Sequence, residues 1–162
     1  MATPTTPTAT RVRRGVFTLQ AEGEESPTVF SCQPTSVVLT PEAGDVGDAL
    51  EVLCGTSIPG QAAPTKWTMA LTSIQSIETT DTASTSLVMY ALEHDGETVK
   101  FTFQPSPTAK VWTGRVTVVA ISIGGEVGGT APTSEAEWPM DGPPTEQKTP
   151  PAAGKTLAGA GA

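Results

Sequence analysis

The amino-acid sequence predicts an α+β fold that is mainly β: an antiparallel β-sandwich or barrel with one flanking α-helix. Three observations predict it. The run KWTMALTSIQ alternates, with Trp67, Met69 and Leu71 on one face and Lys66, Thr68, Ala70 and Thr72 on the other. That is the pattern of a half-buried antiparallel strand. One segment, SLVMYALEH, has convincing helical spacing, with Leu87, Tyr90, Ala91 and His94 at i, i+3, i+4 and i+7. Around it lie about six to eight short apolar runs bounded by Gly, Pro and acidic clusters, and the order strands, helix, strands fits an α+β domain.

The elements follow in order. Residues 1–14 are expected to form an extended arm, because Thr, Pro and Ala in short alternation offer no apolar surface. Arg11, Arg13 and Arg14 make that arm basic. Strand signals start at VFTLQ, pause at the acidic residues 22–26, and resume in TVFSC and TSVVLT. Residues 41–63 read as a long acidic loop region holding Glu42, Asp45, Asp48 and Glu51 and no basic residue, with strand character in ALEVLCG. After KWTMALTSIQ, Asp81 or Ser84 can cap a helix over about 82–94, some three turns long, which Asp95-Gly96 ends. TVKFTFQ then directs Val99, Phe101 and Phe103 to one face, and Pro105 and Pro107 break the chain. Residues 111–123 make the longest β-run. Val118, Val119, Ala120 and Ile121 are apolar on both faces, which predicts burial on both sides or a second contact surface. A last strand is expected over 135–140. The body thus spans 15–142, and residues 143–162, rich in Pro, Ala and Gly, form a low-complexity tail that cannot pack alone.

Length and charge bound the function. The 162 residues hold one domain, and roughly 130 remain once the ends are set aside, enough for one sandwich core. Net charge is −8, unevenly spread: residues 15–142 hold 16 acidic side chains against Lys66, Lys100, Lys110 and Arg115. A body this acidic repels phosphate, which argues against tight nucleic-acid binding by the folded domain. A basic arm beside it can instead join copies of the same chain. Cys32 and Cys54 sit in apolar strand-like runs, which favours buried free thiols and leaves a bridge open. The stretch MATPTTPTATRVRRG lacks the apolar centre of a secretory leader, and no run is long enough to span a membrane.

Chemical motifs fail one by one. IGGEVGGTAP follows a strand, yet GGEVGG lacks the dinucleotide-loop spacing and Thr130-Ala131-Pro132 does not readily open a helix. A glycine-rich hairpin turn or interface loop is expected there. Gly154-Lys155-Thr156 resembles the end of a phosphate loop without its first glycine or its strand. His94, the sole histidine, suits the negative end of the helix dipole better than catalysis. Cys32 and Cys54 lack metal-ligand spacing. No carboxylate pair stands out from the rest. No enzyme activity, cofactor or metal is therefore expected.

Several features recur in an informative order. The helix ends in Glu93-His94-Asp95-Gly96 and runs into TVKFTFQP; WTGRVTVVAISIGGEVG follows, with Gly124-Gly125-Glu126-Val127; then comes APTSEAEWPMDGPP, with Glu137-Trp138-Pro139. This succession, over roughly residues 65–145, resembles the tail-tube (major tail) proteins of long non-contractile-tailed bacteriophages, the siphophages. The first third of the chain matches only in having short strands around one long loop. The resemblance implies a structural virion protein, assembled in the host bacterial cytoplasm as hexameric rings stacked into a tail tube. It implies a tape-measure protein and then DNA in the lumen, with tail-terminator and distal-tail or baseplate proteins at the tube's ends.

The residues fit that implication. An acidic wall repels DNA, which suits a conduit, and open strand edges can continue from subunit to subunit. Arg11, Arg13 and Arg14, with Glu42, Asp45 and Asp48, are candidate subunit contacts, since the two segments carry opposite charge. Trp112, Glu126 and Trp138 are further candidates; no lumen residue is assigned. Two rival readings are a tail-completion or decoration protein, which would form single rings or knobs, and a secreted β-sandwich binding module, which would stay monomeric.

Overall fold

The computed structural model describes residues 7–148. The first six residues of the arm, and residues 149–162 with the Gly154-Lys155-Thr156 triplet, lie outside the described residues. Strands β1 (Val16–Gln20), β2 (Thr28–Val29), β3 (Pro34–Glu42), β4 (Leu50–Glu51), β5 (Ser57–Ile58) and β6 (Lys66–Ile74) precede helix α1 (Leu87–Glu93). Strands β7 (Thr98–Gln104), β8 (Val111–Thr117), β9 (Thr133–Pro139) and β10 (Thr145–Gln147) follow it. One antiparallel sheet is ordered β10-β8-β7-β1-β2, a second β3-β6-β9, and β4-β5 form a separate ribbon. The two larger sheets are open and share one core, so the architecture is a sandwich. At one corner Val116 and Met140 bridge between them.

Period-two burial builds that core. Phe17 and Leu19 of β1 stand opposite Phe103 and Phe101 of β7, and all four are buried. In the other sheet Leu71 and Met69 stand beside Val37 and Leu39 of β3, and Met69 stands beside Trp138 of β9. Leu87, Val88, Tyr90 and Ala91 bring the helix onto the same cluster. Trp138 is among the largest fully buried side chains, and its indole N–H donates to the Val119 carbonyl at 2.8 Å. A buried indole needs such a partner, because an orphaned donor would forfeit part of what its apolar area contributes.

The helix is shorter than its sequence signals. It has seven residues, capped by Ser86, whose hydroxyl accepts the Met89 N–H and donates to the Ser76 carbonyl. Gln33 completes the cap: its amide oxygen accepts the Leu87 N–H at 2.7 Å and its amide nitrogen donates to Thr85 O at 2.6 Å. Neither Asp81 nor Ser84 is the cap. The Ser/Thr run 82–86 closes its own turn instead, with Thr85 and Ser86 N–H groups on Thr82 O. Asp81 turns back to accept from Ser76 and the Glu78 N–H.

Four further expectations change. The β-run at 111–123 leaves the ladder after Thr117, because the chain crosses there from one sheet to the other. Val118 and Ile121 enter the core while Val119 and Ile123 stay exposed. The glycine loop is part of that crossover rather than a hairpin turn between paired strands. Gln75 clamps it, accepting the Gly124 N–H and donating to the Gly124 carbonyl, both at 2.9 Å. Residues 145–147, placed in the tail by composition, form β10 against β8. Cys32 and Cys54 are both free but exposed, not buried. Cys32 follows the end of β2 in a turn, and Cys54 lies at a hairpin tip.

Candidate assembly interface

The acidic segment 41–63 is no loose loop. The β3–β6 ladder runs as far as Glu42 opposite Lys66, then continues outward through Val46 opposite Ala62 and Leu50 opposite Ile58. Backbone bonds from Gly47 N to Gln61 O (3.1 Å) and Ala63 N to Asp45 O (2.9 Å) fill the interval. A Cβ on Gly60 would overlap the Gly47 carbonyl oxygen, so the strands approach this closely only because Gly60 lacks a side chain. Gly55, with φ of 78°, closes the tip. Eleven residues from 43 to 53 make an arm of about 30 Å.

Within 41–66 no residue is buried. Val46, Leu50 and Ile58 are exposed, and Leu53 at the tip is fully so. Glu42, Asp45, Asp48 and Glu51 share this arm without an ion pair among the described residues. Clustered exposed apolar side chains on a projecting ribbon mark a contact surface. The Cys54 thiol sits there too, its pKa held below the ordinary value by the Thr56 hydroxyl at 3.4 Å and the Thr56 backbone.

Two strand edges lie open in the three-stranded sheet. β3 leaves one side of its nine residues unpaired, with Pro34 and Pro41 near its two ends, and β9 is the opposite edge. Its outer face is a grid of short side chains set by register: Val38, Ala70 and Glu137 in one row, Ser36, Thr72 and Glu135 in the next. The two carboxylates stand on the β9 edge.

The basic arm docks at its base. Arg13 N–H donates to Pro105 O at 2.9 Å, and Arg14, at φ of 52°, turns the chain into β1. Arg11, Arg13 and Arg14 are exposed and make no ion pair among the described residues. His94, at the helix C-cap, meets Glu97 at 2.7 Å and Glu24 at 3.9 Å and packs on the Tyr90 ring. Burial first, then the Glu24 carboxylate, push the Tyr90 phenol well above its ordinary pKa. This cluster pins the β1–β2 turn to the helix.

Of the candidate contacts, Arg11, Arg13, Arg14, Glu42, Asp45, Asp48 and Glu126 are exposed, and Trp112 is half-buried in β8. Trp138 is corrected: sunk in the core with its N–H satisfied, it offers no surface to a neighbour. Sequence reasoning missed the exposed Leu50, Leu53 and Ile58, although the Leu-x-x-Leu run that follows Asp48 was a visible signal. Among the described residues no group of His, Cys, Asp and Glu could hold a metal ion, and no helix is long and apolar enough to cross a membrane.

No protein-family profile matches the chain, and no curated protein sequence matches it significantly. Solved structures do match. The SPP1 tail tube, determined by solid-state NMR and cryo-EM, aligns with a TM-score of 0.56 at 12% identity, over 89% of this chain and 82% of that one. The tail of an empty GTA particle, from helical refinement with C6 symmetry, aligns at 0.53 and 13% identity, over 82% and 94%. The chain has a tail-tube fold. Of the sandwich and the barrel that the sequence left open, the structure is the open sandwich with one helix on its core.

Proposed function

We propose that this chain is a structural virion protein, the subunit of a siphophage tail tube, and that it has no enzymatic role. Six copies close a ring, and rings stack into an acidic-lined conduit for DNA ejection. The observation that carries this reading is the fold it shares, over more than four-fifths of its length, with two tail structures, one of them refined with C6 symmetry. The open edges support it. Pairing of β3 from one copy with β9 of the next extends the three-stranded sheet around a ring and leaves neither of its edges bare. The Ser/Thr/Ala face with Glu135 and Glu137 suits the lumen wall, since short side chains and carboxylates let phosphate slide past without binding it. A tape-measure protein occupies that lumen before DNA does, and terminator and distal-tail or baseplate proteins cap the ends.

Between copies, Arg11, Arg13 and Arg14 meet Glu42 and Asp45 at the base of a neighbouring hairpin. Electron microscopy of the purified protein tests the whole reading: stacked six-fold rings are the expected image, and a persistent monomer rules the reading out. Replacing all three arginines with Glu should abolish or weaken tubes, most at low salt. Unchanged assembly of that variant across salt concentrations would remove the arm from the interface.

A further inference from the structure

A groove on the outer face of the five-stranded sheet has no role in the contacts above. Thr98, Lys100, Thr113, Gly114 and Arg115 line it, residues 20–24 form a wall, and the space is about 470 Å³. Lys100 of β7 and Arg115 of β8 are register partners, which puts their Cβ atoms about 5 Å apart on one face. Both are exposed, and neither forms an ion pair among the described residues. Like charges directly opposite on neighbouring strands repel. In a body with 16 acidic and four basic side chains, two of the four cations nonetheless stand together with no ion pair among the described residues. The groove's own carboxylates do not neutralise them. Glu24 is turned to the Ala21 N–H at 2.8 Å and the Tyr90 hydroxyl at 3.5 Å, and Glu22 sits exposed on the wall.

We propose that this groove receives the hairpin tip of a second copy, with Lys100 and Arg115 holding the carboxylates of Asp48 and Glu51. The proposal rests on the reading of the chain as a self-assembling tube subunit. Charge complementarity selects the occupant. The hairpin is the element that projects from the body, it carries four acids and no cation from 42 to 63, and it also carries the exposed Leu50 and Leu53. At about 30 Å the arm is long enough to lie across a neighbour, its base near the arginine arm and its tip in the groove. A carboxylate set between Lys100 and Arg115 replaces their repulsion with two charge-assisted bonds, one able to be bidentate at the guanidinium.

The double variant K100E/R115E, measured beside wild type by sedimentation and negative stain, should raise the concentration needed for tubes at least about tenfold. Its melting temperature should not fall, because both side chains are exposed. Adding D48K/E51K should restore much of the loss, while the same pair should not rescue the arginine-arm variant. Tubes forming at the wild-type threshold in K100E/R115E, or no rescue by the swap, would overturn the docking. A second measurement is independent of tube formation. In the background C32S, the substitution E22C places a thiol on the groove wall within reach of the native Cys54 of another copy. Oxidation should then give a ladder of linked chains that C32S alone does not give. A ladder without tubes keeps the docking and sinks the tube reading; tubes without a ladder do the reverse; neither refutes both.

Discussion

The β3–β6 ribbon has two halves made from the same backbone ladder, and they differ in what lies beneath them. In the sandwich half, Met69 and Leu71 alternate with Thr68, Ala70 and Thr72, and the apolar set is buried under the helix and the facing sheet. In the outer half, Val46, Leu50 and Ile58 have nothing to cover them, and the ladder is held by backbone bonds and by close approach at Gly47 and Gly60. Hydrogen-bonded pairing therefore does not require a core. A core adds stability, and an uncovered ribbon of this length needs a partner. The sandwich half belongs to folding, and under the proposed function the outer half serves association.

Substitutions in each half should separate those roles. Trp138→Ala should show the largest effect on folding, about 3–5 kcal/mol lost, because it opens a cavity and orphans the Val119 carbonyl. Urea unfolding measures it, and a loss under about 1 kcal/mol would mean Trp138 is not the anchor of the second sheet. A smaller effect is expected at high pH. Tyr90 has a folded pKa raised above its unfolded value near 10. Its contribution is therefore complete below about pH 10 and is lost as pH rises further. Urea midpoints should fall above that pH, less steeply in Tyr90→Phe than in wild type; parallel curves would clear the tyrosine. At the other end of the scale, Leu53→Ser should leave the melting temperature of the monomer unchanged while reducing tube yield. If it lowers the melting temperature as a core substitution does, the division between the two halves fails.

The same division explains what was legible in the sequence. Wherever a face is buried, its period survives in the residues: Met69 and Leu71, Val99, Phe101 and Phe103, and Leu87, Tyr90 and Ala91 all fall where the pattern put them. The fold class follows from these. The outer hairpin shows no such alternation, since apolar residues with no core beneath them are under no constraint to take one side; ALEVLCG alone reads as strand there, where β4 lies, and the rest reads as loop. β10 was hidden for another reason: three residues of a Pro-rich tail pair because β8 offers them an edge, not because of their own propensity. Trp138 was misjudged because both interfaces and cores favour Trp, and only its register opposite Met69 decides between them. The charge pattern of arm and hairpin was visible at once. The Lys100–Arg115 pair was not, because 15 residues separate two side chains that only the β7–β8 register brings together.

The glycine contact between Gly47 and Gly60 has a mechanical consequence. A ribbon without side chains at that level is a blade with a thin waist, stiff along its ladder and slender across it. A methyl group on Gly60 would strike the Gly47 carbonyl of the same hairpin, so the ribbon would have to part at its waist before it met any neighbour.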